Sequence, residues 1–432
     1  MKKTFFLFVT VFSLCSCGKL PLDHAPIAHE EGLIKDWIGL QLQLIRNTTG
    51  VPHVAYSRHF AYTGLALYGA MVKAQTHYSG EHLIVNHGAV PKPMFAPAAM
   101  NAAIASMLRF FYGTRPANLA SIDSLESAYV AKYSTTAPAG LDLVASARMG
   151  KDFAATIQEM SKDDGASNAS IPYTPLGEGY WEPTAPAYAA AAVPGWGNNR
   201  PIAPGSTDVD CPQPPAFSSD PSSPFYSMVK EVYDVRKTLT AGQKAIASFW
   251  DDAPNGKYYT VFGHWFSILR QVLEQQSFPL QKAAKAYLQL GVSMNDAAIS
   301  CWKTKFTYNQ LRPITYIRKY MGEGEWTPFL TTPNHPEYVA AHATISSAGA
   351  YALQSVFGNN FHFTDHSYDG IGMQPRNFDS FEAAAKEAGL SRLYGGIHYR
   401  FSIEAGSHVG TQVAIKADSV LKLPTLFVLW ED

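Results

Sequence analysis

Apolar residues recur at every third or fourth position along most of this 432-residue chain. The spacing is clearest in EEGLIKDWIGLQLQLIR, which begins at Glu30, and in VFGHWFSILRQVLEQQ, which begins at Val261. A helix turns once every 3.6 residues, so this spacing gathers the apolar side chains on one face. No sustained alternation typical of strands accompanies it. The pattern predicts an all-α chain in which residues 31–432 form one large helical-bundle domain.

Residues 171–224 interrupt the helical pattern with a stretch rich in proline. This stretch contains 12 of the 28 prolines, with glycine and serine between them. It also carries three tyrosines and two tryptophans: Tyr173, Tyr180, Trp181, Tyr188 and Trp196. A disordered linker seldom holds so many aromatic side chains. We therefore expect a long ordered loop that is fixed to the helical core and lines the mouth of a site.

The composition excludes several classes of function. Charged residues make up 16% of the chain and the formal net charge is −1, so there is no basic surface of the kind that binds nucleic acid. No CxxC, HExxH or EF-hand pattern is present. We expect no zinc, calcium, haem or nucleotide. Cys211 and Cys301 are not expected to form a disulfide.

The N-terminus has the features of an export signal. Lys2 and Lys3 precede a short apolar run that is too short for an ordinary membrane span. The run ends in LCSC, which resembles the bacterial lipobox. This resemblance implies a signal peptide over residues 1–16, lipidation of Cys17, a tether over residues 17–30 and a lipoprotein of the cell envelope, on the periplasmic side or the outer membrane. A plain secretory signal is the alternative.

Lys305 and Arg312 stand seven residues apart in KTKFTYNQLRP, and Pro313 follows the arginine directly. Seven helical residues make almost two turns, so the two side chains would lie on nearly one face, about 10 Å apart along the axis. Proline disfavours helical backbone at the preceding residue, so the helix is expected to end or kink at Arg312. The pattern predicts a site for a small anion, although a solvated cationic face is the simpler alternative.

Three histidines and one arginine follow in two further clusters. His335 and His342 lie in TPNHPEYVAAHATISSAGA, where His342 opens a helix of small residues. The start of a helix offers free N–H groups and a positive dipole end to an anion. Arg392 and His398 are separated by the glycine pair at 395–396, which permits a break in the helix.

Taken together, these clusters resemble the signature of the vanadium haloperoxidase and type 2 phosphatidic acid phosphatase superfamily. The signature is Lys-x6-Arg-Pro, then a histidine at the start of a small-residue helix, then Ser-Arg-x5-His. The motifs EGYWEPTAPAY and PGWG are similar to the bacterial haloperoxidase-like branch. The resemblance spans roughly residues 170–415. It implies an all-α fold, a large helical-bundle domain of the vanadium chloroperoxidase and acid phosphatase type.

The resemblance also implies a role for each clustered residue. Three cations would bind the equatorial oxygens of vanadate, or of phosphate in the same pocket: Lys305, Arg312 and Arg392. His398 would be the axial ligand of vanadium, or the nucleophile toward phosphorus. His342 would be the acid–base residue near the opposite apex, and His335 would shape the halide or substrate side.

Two positions depart from the family pattern. The family usually has Pro-Ser-Gly-His where this chain has Val-Ala-Ala-His, so Ala340 replaces a hydroxyl donor while Ala341 still offers a backbone N–H. A lost hydrogen bond to a charged group costs about 1.5–3 kcal/mol. The aspartate usually found four residues after the last histidine is Ser402. Glu404 and Asp296 are the candidates for the missing acidic partner.

The sequence therefore predicts an exported, lipid-anchored, vanadate-dependent haloperoxidase that uses hydrogen peroxide and a halide or small organic substrate. A histidine-nucleophile phosphatase acting on phosphomonoesters or lipid phosphates is the first alternative. A lipoprotein that binds an oxyanion at a degenerate site is the second, since a fold does not fix a function. The oligomeric state stays open, and an oligomer is compatible with the sequence.

Overall fold

The protein is a helical assembly in the computed structural model, which describes residues 30–78, 93–253 and 256–422. These residues form 13 α-helices and one antiparallel hairpin. The helices are α1 (Glu31–Asn47), α2 (Ala55–Tyr78), α3 (Ala96–Tyr112), α4 (Pro116–Thr136), α5 (Leu143–Lys162), α6 (Pro224–Lys237), α7 (Ala241–Phe249), α8 (Val261–Gln275), α9 (Leu280–Tyr308), α10 (Pro313–Tyr320), α11 (Ala341–Phe357), α12 (Phe381–Tyr394) and α13 (Arg400–Leu421). The strands are β1 (Phe363–Asp365) and β2 (Arg376–Phe378). The predicted all-α class is confirmed.

The N-terminal predictions fall on a part of the chain that is not described. Cys17 and the signal segment lie outside the described residues. Among the helices that are described, none is long and apolar enough to cross a membrane. The lipid anchor therefore stays a prediction.

Helix α9 runs through the centre of the core. It is 29 residues long and most of its side chains are buried. It packs against α2 on one side and against α11 and α13 on the other. One large cluster of buried apolar side chains draws on eleven of the helices, whereas α6 and α10 contribute buried apolar side chains to a second cluster. Helices α9, α11, α12 and α13, which carry candidate residues, therefore share a core with the N-terminal helices.

Two helix pairs approach so closely that only glycine fits between them. A methyl group placed on Gly410 of α13 would lie 1.9 Å from the carbonyl oxygen of Thr344 in α11. A methyl group on Gly150 of α5 would lie 2.0 Å from the carbonyl oxygen of Ala99 in α3. Because glycine has no side chain, the backbones of the paired helices can come into contact at Gly410 and Gly150. The first pair lies beneath the candidate site and the second is remote in sequence from every candidate residue.

The helix that contains Lys305 ends earlier than predicted. Helix α9 stops at Tyr308 because Asn309 adopts a left-handed backbone conformation with φ of 48°, which asparagine tolerates better than most residues. Arg312 has extended backbone and caps α10, whose first residue is Pro313. The prediction that Lys305 and Arg312 share one helix face is therefore wrong. They lie at the end of one helix and the start of the next.

The proline-rich loop over residues 171–224 is ordered and lies against α9. Trp181 and Trp196 are fully buried, and the N–H of Trp181 donates to the carbonyl of Asn309 at 2.7 Å. The buried carboxylate of Asp296 in α9 accepts the N–H groups of Ile202 and Ala203, each at 2.9 Å, and the Ser206 hydroxyl at 2.7 Å. Asp296 thus holds this loop, and it is not the acidic partner of His398 that the sequence suggested.

Candidate active site

The side chain of Lys305 is fully buried in the last turn of α9. Its ammonium group donates to the backbone carbonyls of Pro336 at 2.8 Å and Glu337 at 2.9 Å. Burial lowers the pKa of Lys305 to about 7, and the neighbouring charge of Arg312 acts in the same direction. The lysine is therefore a cation whose charge is easily changed near neutral pH.

Arg312 stands at the centre of the cluster and connects two histidines. Its Nε donates to the carbonyl of His335 at 2.9 Å and its Nη2 lies 3.0 Å from the ring nitrogen Nδ1 of His335. Its Nη1 donates to the carbonyl of Ile397 at 2.8 Å and lies 3.2 Å from Nε2 of His398. Burial lowers the pKa of Arg312 to about 10, so the guanidinium keeps its charge at neutral pH.

These contacts fix the tautomers of both histidines. A guanidinium can only donate, so Nε2 of His398 and Nδ1 of His335 must each present a lone pair to Arg312. The proton of His398 then resides on Nδ1, which lies 2.7 Å from Oε1 of Glu337. Burial lowers the pKa of His398 well below its usual value, and Arg312 and Lys305 add to this effect. His398 is therefore neutral with its Nε2 lone pair directed at the cationic group.

Glu337 is the acidic partner of His398. Its Oε1 also accepts the N–H of Tyr399 at 3.0 Å, and its side chain is fully buried. Burial raises the pKa of Glu337 to about 7, while Arg312, Lys305 and the hydroxyl of Ser402 act to lower it. Ser402, which stands where the family pattern has an aspartate, is buried beside this carboxylate. Glu404 is exposed on α13, so the prediction that it orients His398 is wrong.

Arg392 lies in the last turn of α12, where a cation interacts favourably with the helix dipole. Its Nη1 donates to the carbonyl of Trp250, and its buried Nε has no hydrogen-bond partner among the described residues. Burial lowers the pKa of Arg392, whereas Asp251 and Asp252 oppose this shift. Within the described part of the chain this Nε is a donor without an acceptor, as expected of a group that binds an anion.

His342 occupies the first turn of α11, with its Nε2 3.3 Å from Oδ2 of Asp252. Burial lowers the pKa of His342 to about 4, with a further lowering from Arg392 and an opposing effect of Asp252. The imidazole is therefore neutral near pH 7. Because Nε2 faces the carboxylate, Nδ1 is the nitrogen left to act on a bound group.

The start of α11 lies between these residues. Ala340 precedes the helix as its N-cap without a side-chain hydrogen bond, and its N–H donates to the carbonyl of Ser402 at 3.2 Å. Ala341 is the first helical residue. The first N–H groups of a helix have no partner within the helix, and here they face away from water because Ala340 and Ala341 are both buried.

The structure also shows the surroundings of His335, of the two cysteines and of the glycine pair that the sequence singled out. The His335 ring lies in contact with Trp302, with 5.1 Å between ring centroids, and its proton resides on Nε2 because Nδ1 faces Arg312. Cys211 and Cys301 are free thiols. Gly396 has a left-handed backbone with φ of 74°, which makes the predicted break between Arg392 and His398.

Sequence reasoning missed the acids of the site. Glu337 lies between His335 and His342 in the segment already singled out, yet its partner is 61 residues away in sequence. Asp251 and Asp252 form an adjacent pair after Trp250, which is a recognisable signal of a charged site beside a buried aromatic residue. The pairing of Glu337 with His398 and that of Asp252 with His342 both join distant segments, so neither follows from spacing along one helix.

Comparisons with known proteins identify the family and the fold of this chain. A family model described as the VCPO second helical-bundle domain matches residues 285–423. The fold is similar to that of a bacterial vanadium-dependent iodoperoxidase, with 30% sequence identity, a TM-score of 0.78, and coverage of 90% of this chain and 96% of that chain. A search of curated proteins gave no significant match.

More distant structures share the fold alone. A holo-type bacterial vanadium-dependent chloroperoxidase has a TM-score of 0.65 at 14% identity, covering 86% of this chain and 93% of that chain. The apo-type bacterial vanadium-dependent chloroperoxidase has a TM-score of 0.63 at 16% identity, covering 85% and 93%. The chain belongs to the vanadium-dependent haloperoxidases, a class of peroxidase-type oxidoreductases, and the resemblance read from its motifs is confirmed.

Proposed function

We propose that this protein is a vanadate-dependent haloperoxidase that oxidises a halide with hydrogen peroxide. The observation that carries the proposal is the tautomer of His398. A nitrogen ligand must offer a lone pair, and the contact of Nδ1 with Glu337 leaves that lone pair on Nε2. A buried neutral histidine with this orientation beside buried cations fits a metal oxyanion.

The other residues present also fit vanadate. The cationic groups of Lys305, Arg312 and Arg392 are buried close to this lone pair, and the Nε donor of Arg392 has no partner among the described residues. These three side chains would donate to the oxygens. The Nε2 atom of His398 would hold the metal once Nη1 of Arg312 turned from that lone pair to an oxygen of the anion. When bound, vanadate supplies the Lewis acid that polarises hydrogen peroxide.

The other two histidines, His342 and His335, would have different roles. His342 would receive or deliver a proton at Nδ1, because its Nε2 faces Asp252. His335 would present its Nε2–H on the halide or substrate side, because its Nδ1 faces Arg312. The same cationic site could bind phosphate, so phosphatase activity is an alternative outcome of the test.

The test measures activity and binding on the same preparation. Protein stripped of oxyanions is assayed with and without orthovanadate, using iodide, bromide and p-nitrophenyl phosphate as substrates. We expect vanadate to restore halide oxidation, and His398→Ala to abolish it in a protein that stays folded. Hydrolysis of the phosphate ester without halide oxidation would favour the phosphatase. Vanadate binding with neither activity would favour the degenerate binding site.

We propose in addition that the protein is exported and anchored to the cell envelope by a lipid on Cys17. The support is the LCSC motif at the end of a short apolar run. Mass spectrometry of the membrane fraction should detect an acylated N-terminal cysteine, and Cys17→Ser should release the protein from membranes. A wild-type protein that is soluble and lacks the acyl mass would contradict the anchor without affecting the enzymatic proposal.

A further inference from the structure

A buried group of charged side chains adjoins His342 and consists of Asp252, His264 and Asp365. His264, in the first turn of α8, lies between two carboxylates. Its Nδ1 is 3.0 Å from Oδ1 of Asp252 and its Nε2 is 2.9 Å from Oδ2 of Asp365. All three side chains are fully buried. A group of this kind is costly to bury unless its charges are paired.

The two carboxylates require His264 to be an imidazolium. A neutral imidazole carries one proton and can donate to only one acceptor. Here both ring nitrogens face carboxyl oxygens. Burial would raise the pKa of Asp252 and of Asp365, but His264 lowers both below the ordinary value, so both groups are ionised and both ring nitrogens carry protons. Burial alone would lower the pKa of His264, but Asp252 and Asp365 raise it to about 10. The group therefore has two negative charges and one positive charge at neutral pH.

Aromatic residues and hydrogen bonds hold this group rigidly. The His264 ring stacks on Trp250, with 4.3 Å between ring centroids, and meets the edge of Tyr368 at 4.8 Å. Asp365 accepts the N–H of Ser367 at 2.9 Å. Such packing leaves no room for the imidazole to rotate, so its charge stays fixed relative to both carboxylates.

Asp252 connects this buried group to the active site. It lies in the left-handed backbone region with φ of 50°, a conformation that aspartate adopts more readily than most residues. Its Oδ1 accepts from His264 and from the Tyr368 hydroxyl. Its Oδ2 has no hydrogen bond of ordinary geometry, and neither has Nε2 of His342, yet these two buried atoms face one another at 3.3 Å.

We propose that His264 is a positioning residue for His342. Held as an imidazolium between Asp252 and Asp365, it keeps the Asp252 carboxylate ionised and directed at Nε2 of His342. That contact puts the histidine proton on Nε2 and leaves Nδ1 for the bound group. The role in turnover rests on the proposed function, whereas the charge of His264 and the tautomer of His342 do not.

The charges around His342 explain why such a partner is needed. Arg392 on α12 and His264 on α8 both disfavour a positive charge on His342, and Asp252 is the group that favours it. The negative charge of Asp251 partly offsets the positive charge of Arg392. If Asp252 became neutral, the imidazole would face the positive charges of Arg392 and His264 without compensation, and its capacity to accept a proton would fall.

The first test examines the unmodified protein. Nitrogen NMR of 15N-histidine-labelled protein should show both ring nitrogens of His264 protonated, with no titration between about pH 6 and 9, the range in which an ordinary histidine loses its proton. His342 should carry its single proton on Nε2. A neutral His264 at pH 7, or a His342 proton on Nδ1, would overturn the proposal.

The second test replaces the charge of His264. His264→Gln keeps a hydrogen-bond donor but removes the charge, and Asp365→Asn weakens the pairing from the other side. We expect a mixed tautomer at His342 and a fall in kcat of about tenfold or more, with vanadate affinity changed by less than about threefold. If His264→Gln does not fold, Asp365→Asn and the first test decide the question.

A surface pair provides the matched control. His366 lies 2.7 Å from Asp369, and both side chains are about half exposed. Although His366 follows Asp365 directly in sequence, its ring pairs with a surface carboxylate, so His366→Gln removes a similar contact without altering Asp252, His264 or Asp365. It should change neither kcat nor the His342 signals. A folded His264→Gln protein that behaves like this control would overturn the proposal. If wild-type protein lacks halide oxidation altogether, the proposed function fails, and the NMR measurements still decide the role of His264.

Discussion

At the residue scale, the acid that orients His398 comes from a different segment than the family pattern predicts. The pattern places an aspartate four residues beyond the histidine, on α13, where this chain has Ser402. Glu337, in the segment before α11, supplies the carboxylate at 2.7 Å. Ser402 is buried beside this carboxylate and acts to lower the pKa of Glu337. Glu337 thus supplies the acid that the family pattern places at the position of Ser402.

Because Glu337, and not an acid at position 402, contacts Nδ1 of His398, the tautomer of His398 depends on Glu337. Replacing it by glutamine removes the charge and leaves an amide that can donate or accept. A charge-assisted hydrogen bond contributes about 1.5–3 kcal/mol, so Glu337→Gln should weaken vanadate binding about ten- to hundredfold. Calorimetric titration with vanadate measures the change. Glu404→Gln, an exposed acid on α13, is the matched control, and equal affinities in the two variants would refute the role of Glu337.

The buried lysine predicts a pH dependence of anion binding. Because the pKa of Lys305 in the protein is about 7, its charge is fully present below that pH and is lost as the pH rises through it. Glu337, with a pKa raised to about 7, gains negative charge over the same range and acts in the same direction. Affinity for sulfate, which does not titrate here, should fall above pH 7 by up to about tenfold per pH unit for each of the two groups.

A lysine-to-arginine exchange separates the two contributions. Arginine keeps its charge throughout this range, so Lys305→Arg should flatten the pH dependence, and adding Glu337→Gln should remove the remainder. Calorimetry with sulfate at several pH values provides the measurement. A pH dependence that is unchanged in Lys305→Arg would show that another group controls the affinity.

At the scale of single elements, periodicity in the sequence predicts the helices that bury one face against the core, whereas the central helix α9 is buried on most sides. Periodicity does not predict where α9 ends, since the stop at Tyr308 depends on the left-handed backbone of Asn309. The hairpin of β1 and β2 was also not predicted, because each strand has only three residues. Its place beside α8 matters, since β1 carries Asp365. The pairing of Glu337 with His398 depends on how α11 and α13 pack.

The start of α11 is the element at which a missing hydroxyl can be restored. Ala340→Ser would return a donor beside the cations, and we expect vanadate to bind about 1–2 kcal/mol more tightly. A serine at an N-cap can instead accept a helix N–H and stabilise the fold by about 1 kcal/mol. Calorimetry and thermal unfolding together separate these effects. A higher melting temperature without tighter binding would mean that the hydroxyl caps the helix and does not reach the anion.

At the scale of the whole molecule, the site depends on the contact between α11 and α13. Helix α11 carries His342, and His398 lies just before α13, so the glycine contact at Gly410 sets the spacing of the two histidines. Gly410→Ala should force the helices apart and cost about 1–3 kcal/mol of stability, as overpacking typically does. Vanadate affinity should fall with it.

A second glycine contact gives the comparison. Gly150→Ala introduces a similar clash between α3 and α5, so it should lower the melting temperature by a comparable amount while vanadate affinity stays unchanged. Thermal unfolding and calorimetry on both variants test this. If both variants lose affinity equally, stability alone controls the site, and the spacing of α11 and α13 has no separate role.

Because the acid that orients His398 is Glu337, chimeric enzymes made with relatives should be affected. In a relative that follows the family pattern, the carboxylate and the histidine it orients travel together on one short segment around α13. In this protein they are 61 residues apart. A recombinant that joins the Glu337 segment to such a relative's α13 would inherit two acids, and the reciprocal product would inherit none. Crossovers between positions 337 and 402 that leave His398 without an acid should therefore be depleted among functional chimeras.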